Sequence, residues 1–292
     1  MPNLKPLLWA ALLFYAVFGH AAETELSLRA GIYAKSFPEF SVEDMEISIK
    51  VLAQEIGQNI GIKTDITVYE NIDAMRSDFE QVKLNFVIAS SLILATKFDT
   101  QQLAAGLRFM RSNGAADQML VLVQKKSGQL DFKKFRGERL VLAKNDPVTE
   151  LYIDYLARSE FRQGYKDSFK VLPSVKKSHQ LILNLFFDQA DITSVFNNAY
   201  QRAVALNPQL LTKLQIIAKL DGIPQAIGLF HKNTPLEFRD RVIAKAIKLT
   251  CTARGKQLLQ LFKSDQAVRS SPADLLTVKK LFDAHQKLLL SQ

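Results

Sequence analysis

The sequence predicts an α/β protein of two lobes with a C-terminal helical tail. Three observations carry this. Strand-like and helix-like segments alternate along most of the chain, the pattern of mostly parallel sheets covered by helices. The alternation falls into two series, one up to Gln124 and one from Phe132 to Phe230. From Leu236 a helical period runs to the end, broken near Arg254–Gly255 and at Ser270-Ser271-Pro272.

Residues 1–22 read as a cleavable secretory signal. Lys5 supplies a short positive region, Leu7 to Phe18 is unbroken apolar sequence, and Gly19-His20-Ala21-Ala22 offers small residues for cleavage. The apolar run is too short for a ~30 Å hydrocarbon core, which takes about 20 residues. The mature protein is therefore expected in the periplasm. No second apolar run approaches spanning length.

In the first series, Leu26 to Tyr33 alternates as a strand. Val42 to Gly57 is a helix with Met45, Ile49, Leu52, Ala53 and Ile56 on one stripe. Lys63–Tyr69 is a strand, Ile72–Gln81 a helix, Leu84–Ala89 a strand and Leu92–Phe98 a helix. Gln118 to Gln124 is a continuous apolar strand. In the second series, Phe132–Phe135 is one helical turn, and Arg139–Ala143, Phe169–Leu172 and Ile192–Phe196 are strands. Thr149–Arg158, Lys177–Asp188 and Ala199–Ala205 are helices between them, and Leu214–Ala218 and Ala226–Phe230 are further strands. The expected division gives residues 23–122 and 227–292 to lobe 1 and residues 123–226 to lobe 2. Hinges are expected near 124 and 225.

Composition narrows the function. The charge is +9 over 292 residues, but the basic residues are scattered and no aromatic-interleaved basic stripe appears, so no nucleic-acid partner is expected. The single cysteine, Cys251, forbids an intrachain disulfide and is expected as a small buried residue in a helix. His179, His231 and His285 lack partners at metal-ligand spacing, and no HExxH, CxxC, Walker, GxGxxG or GxSxG motif occurs. No metal, cofactor or catalytic residue is assigned, and an enzyme is not expected.

The order of several segments resembles the periplasmic phosphate/phosphonate-binding family, the solute-binding proteins of ABC importers. The stretches are Leu28 to Tyr33, Tyr69 to Arg76 with Asn85 to Ala95, Phe132 to Ala143, and Ser178-His179 followed by Asp188 to Ile192. Asn207-Pro208-Gln209-Leu210 and Ile223-Pro224 complete the series. The resemblance implies a type 2 periplasmic-binding ("Venus flytrap") fold that closes on a small polar ligand. Its partner would be an ABC permease, or a membrane sensor protein if the chain serves signalling; a monomer is expected.

Open α/β sheets bind ligands beyond the carboxyl ends of strands, where helix N-termini present unpaired N–H groups to anions. That places Tyr33 and Tyr69 at strand ends, and Ser90 and Ser91 before a helix. It also places Asn145, Asp146 and Thr149 at the equivalent turn of lobe 2. The resemblance adds His179 at a ligand-contact position and Asn197 after a buried strand. Helix capping is the alternative for Ser90, Ser91 and the Asn145–Thr149 turn, core packing for Tyr33 and Tyr69, a solvated or capping histidine for His179 and a turn asparagine for Asn197. Asp146 and Glu150 depart from the family's turn, which is rich in Ser, Thr and Gly. Their charge should repel a phosphate dianion and favour a zwitterionic or amine-bearing ligand. Two rival readings remain: an enzyme on the same scaffold using Asp146 with His179, and an inert structural subunit.

Overall fold

The structure is a computed structural model that describes residues 26–37, 39–110, 117–125, 131–261 and 264–291. The expected signal segment, 1–22, lies outside the described residues.

The first series runs β1 (Leu28–Tyr33), α1 (Val42–Gln58), β2 (Thr64–Tyr69), α2 (Ile72–Glu80), β3 (Phe86–Ser90), α3 (Ser91–Lys97) and β4 (Leu103–Met110). The second runs β5 (Gln118–Gln124), β6 (Arg139–Val141), α4 (Pro147–Phe161), α5 (Tyr165–Ser168), β7 (Lys170–Val171) and α6 (Ser178–Phe186). It continues with β8 (Ile192–Phe196), α7 (Asn197–Leu206), α8 (Leu210–Lys213) and β9 (Leu214–Asp221). The chain then returns through β10 (Ala226–His231), α9 (Leu236–Leu249), α10 (Ala253–Leu261), β11 (Gln266–Ser270) and α11 (Leu276–Leu290).

Two sheets result, ordered β11-β4-β10-β3-β1-β2 and β7-β6-β8-β5-β9. This is the expected two-lobed α/β fold with a closing C-terminal helix, with four corrections. First, β5 pairs with β8 and β9, so residues 118–122 belong to the second sheet and not to lobe 1. The chain is in the first sheet at β4 and in the second at β5, so it has changed sheet before Gln118 and not near 124. Second, the sheets are mixed. β1 pairs in parallel with β2 and β3, but β10 runs antiparallel to β3 and β4, and β4 antiparallel to β11. β1 and β3 run towards the crossovers while β10 comes back from one, so antiparallel pairing is forced. Third, the tail is not all helix, because Gln266–Ser270 forms edge strand β11 beside β4. Fourth, Cys251 is exposed, because α9 ends at Leu249 and the cysteine falls in the following turn.

Local chemistry sets the helix starts. Ser41 caps α1 by accepting from the Asp44 N–H, and Asn71 caps α2 by accepting from Asp73 and Ala74. Asp146 caps α4 with Pro147 in its first turn, and Arg162 ends that helix in a left-handed conformation.

Each face of the first sheet is buried differently. Ile32, Phe86 and Phe230 face Leu52 of α1, Phe238 of α9 and Leu258 of α10. The opposite face holds Met75, Phe79 and Leu94 from α2 and α3, with Val278 and Leu281 from α11. That second cluster continues into lobe 2 through Leu151 of α4 and Val121 of β5, so the lobes share apolar packing along α11. A third cluster, including Leu120, Leu181 and Leu185, lies on the other side of the second sheet. The residues just before β5 and just after β9 are bonded together: the Ile223 N–H donates to the Asp117 carbonyl at 2.9 Å.

Candidate functional site

The carboxyl ends of β1, β3 and β4 meet the N-termini of α6 and α7 of the second lobe. A cavity of about 170 Å³ opens there. At its mouth stand Ser36 and Glu39 from the segment after β1, Ser178 at the start of α6, and Asn198 and Arg202 on α7. The Ser36 hydroxyl accepts the Ser90 N–H at 2.9 Å, which joins this mouth to the end of β3.

The central contact of the mouth crosses between lobes. Glu39 Oε1 accepts the Ser178 backbone N–H at 2.9 Å and the Ser178 hydroxyl at 2.5 Å. Ser178 opens α6, and the N-cap residue Lys177 makes no side-chain capping bond. A helix N-terminus attracts negative charge through its unpaired N–H groups and its dipole. Here the chain's own carboxylate fills that position.

Behind the hinge side, Arg108 ties three elements together. Its guanidinium contacts Asp117 at 2.7 Å, the Ser270 hydroxyl at 2.9 Å and Asp274 at 3.3 Å. Burial, the larger effect, pushes the Asp117 carboxyl up despite the opposing pull of Arg108.

None of the nine residues named from sequence lines this cavity. Tyr33 is buried in the core on the α2–α3–α11 face. The Tyr69 hydroxyl donates to Asp78 at 2.8 Å, and burial with that carboxylate pushes the phenol up to about 12. Ser90 caps α3, accepting from the Ile93 N–H at 3.4 Å. Ser91 is fully buried, with no hydrogen-bond partner for its hydroxyl among the described residues. Asn145 is exposed, in the left-handed region at φ 58°.

Asp146 and Thr149 are joined within their own turn: the Thr149 N–H donates to Asp146 Oδ1 at 3.2 Å and the Thr149 hydroxyl to the Asp146 carbonyl at 3.1 Å. Burial pushes the Asp146 carboxyl up to about 6, partly offset by these Thr149 bonds. His179 is exposed beside Ser178. Asn197 is buried, donating to Gln118 at 2.8 Å and accepting from Gln201 at 3.2 Å. Some of the residues named from sequence are close neighbours of the cavity lining. Ser36, Ser178 and Asn198 lie within three positions of Tyr33, His179 and Asn197. The strand-end rule reaches Ser36, but no local signal marks Glu39, whose partner is 139 residues away.

Among the described residues, no group of three or more His, Cys, Asp or Glu side chains could hold a metal ion. No helix among them is long and apolar enough to cross a membrane.

The sequence matches the family model "ABC transporter, phosphonate, periplasmic substrate-binding protein" over residues 36–275. The chain belongs to this phosphonate-binding family. Its fold agrees. The binding component of an ABC phosphonate transporter from Pseudomonas aeruginosa superposes with TM-score 0.61 at 14% identity, covering 91% of this chain and 89% of that one. A protein from Prochlorococcus marinus in complex with methylphosphonate gives 0.61 at 13% identity, covering 89% and 98%. A Xanthomonas citri protein bound to ATP gives 0.58 at 12% identity, covering 90% and 98%. A search of curated protein sequences returns no match. The family is one of transport receptors of the periplasm, with a small-molecule ligand and an ABC permease as partners.

Proposed function

We propose that this phosphonate-binding family member captures a small organic oxyanion, of the phosphonate or sulfonate class, between its lobes and delivers it to an ABC permease. The observation that carries the reading is the Glu39 carboxylate on Ser178. An oxyanion already sits at the α6 N-terminus, held by a backbone N–H and a hydroxyl. A ligand head group of similar shape would replace it, with Arg202 of α7 adding positive charge at the same mouth. The lobes would be residues 26–110 with 226–291, and residues 117–221. They would close by a hinge where the chain passes between the two sheets.

Asp146 and Glu150, whose charge argued against a phosphonate, do not line this cavity. Asp146 also turns its carboxylate onto its own helix. Their repulsion therefore bears on another part of the cleft.

The test is calorimetry on residues 23–292 with methylphosphonate, methanesulfonate, phosphate, glycine and putrescine. Binding of an oxyanion that is lost in Ser178→Ala supports the reading. Binding of putrescine alone refutes it and restores the amine-bearing ligand.

A further inference from the structure

The cavity does not end at the polar mouth. It continues beneath the first sheet, between that sheet and α1, as far as Leu28, the first residue of β1. Its inner wall is made of Ala30, Leu52, Ala53, Ile56, Ile66 and Phe86, all hydrocarbon. Most polar lining residues come from the cleft end, among them Ser36 and Glu39 after β1 and Ser178 and Arg202 of the second lobe, and the Arg108–Asp117 pair lines the cavity as well.

The space has a cause in the sequence. Ala30 on β1 and Ala53 on α1 are buried, at 2% and 6% exposure, on the core face whose other members include Ile32, Leu52 and Ile56. Small side chains on two packed elements leave room that larger ones would fill. Gly228 on β10 lines the same cavity, and a Cβ there would come within 2.4 Å of the Phe86 ring. The sheet side thus keeps its small residues next to its bulky ones.

We propose that this inner cavity is a tail subsite, taking the unbranched aliphatic chain of an organic anion whose head group lies at the α6 N-terminus. This inference rests on the oxyanion reading above and adds the ligand's second half. The walls favour hydrocarbon over water, because an apolar cavity offers water too few polar partners and stays available to an apolar guest. An engineered apolar cavity of about 150 Å³ accommodates benzene. The roughly 170 Å³ here is the whole cavity, mouth included, so on that scale about six carbons is the upper limit for the chain. The mouth holds both Arg202 and Glu39, so it suits an anion once the head group takes the carboxylate's place on Ser178. A polar head in the cleft and a chain under the sheet describe an amphipathic alkyl anion better than a compact one.

The experiment is isothermal calorimetry of the mature chain with n-alkylphosphonates of one, two, four, six and eight carbons. Each buried methylene contributes about 0.8 kcal/mol, so the dissociation constant should fall about fourfold per added carbon and level off at or before about six carbons. Ala53→Leu, which fills the inner cavity, should remove that gain while leaving methylphosphonate binding unchanged. The wild-type series stands even if the variant fails to fold. Binding of every chain length with one affinity overturns the tail subsite and leaves the oxyanion receptor intact. Failure of all five compounds to bind overturns both.

Discussion

Replacing Glu39 tests the site most directly, because the change should strengthen ligand binding. On the proposed reading the Glu39 carboxylate holds the position that an incoming oxyanion needs. It accepts two hydrogen bonds from Ser178, at 2.9 and 2.5 Å. Bonds to a charged acceptor contribute about 1.5–3 kcal/mol when well shielded, but exposed ion contacts contribute about 0–1. Glu39 and Ser178 are both half-buried, so the contact should contribute about 1–2 kcal/mol in total. A ligand must displace it, and the displaced energy is subtracted from its affinity. Glu39→Gln keeps the shape and one acceptor but removes the charge, so affinity should rise about fivefold, the equivalent of ~1 kcal/mol. Glu39→Ala removes the contact entirely and should raise it by up to about thirtyfold, the equivalent of ~2 kcal/mol. Ser178→Ala should act in the opposite direction, since it removes a donor to the ligand. Calorimetric titration with the tightest oxyanion of the panel, at one pH and salt concentration, reads all three. Wild-type or weaker affinity in both Glu39 variants would refute the idea that the carboxylate occupies the ligand's place.

Three further outcomes follow from the packing and charge. Asp146 titrates near 6 in the fold against an ordinary carboxylate value of 3.8. Its contribution to stability is therefore full below about 3.8 and lost as pH rises through about 6. Asp146→Asn keeps an equally good helix cap without the charge, so melting temperatures across pH 4–7 should decline less in the variant, and an unchanged decline would contradict this. Phe230 is fully buried in the central strand β10, between Phe86 and Phe238 at centroid distances of 4.6 and 6.4 Å. Phe230→Ala should cost about 3–5 kcal/mol in urea unfolding, and a cost under about 1 would mean that the strand is not central. Asp154 of α4 contacts His285 of α11 at 2.6 Å and accepts from Arg158 at 2.7 Å and from the Tyr165 N–H at 2.8 Å. Burial raises its carboxyl, but these three partners outweigh burial and hold it below the ordinary value. Asp154→Ala should loosen α11, seen as faster amide exchange over residues 278–288, while exchange in α1 stays unchanged.

Much of the fold was legible because its strands and helices are strongly periodic. The stripe Met45, Ile49, Leu52, Ala53 and Ile56 buries as the period implies. β4 and β11 were not legible. Leu103–Met110 mixes Ala, Gly and Arg, and Gln266–Ser270 alternates over only five residues. Both are fixed by pairing with each other and with β10, which is information spread over more than 150 residues. The place where β5 belongs was also hidden, since a continuous apolar strand fits either sheet equally well. For the site, helix N-termini were legible as turns, but the partner of each was not. Asp146 and Thr149 bond to each other, and Asn197 bonds to Gln118. The residue that reaches across the cleft is Glu39, which looks like an ordinary loop acid.

The shared packing of α11 has a mechanical consequence. This helix lies against α3 in one lobe and α4 in the other. It therefore acts as a pin that both lobes share. Rotation of one lobe against the other leaves points near such a pin almost stationary and moves points at the mouth most. A pair of fluorophores at residues 35 and 205, one on each rim, would report closure of the cleft. A probe attached near residue 288 would remain silent while the jaws moved.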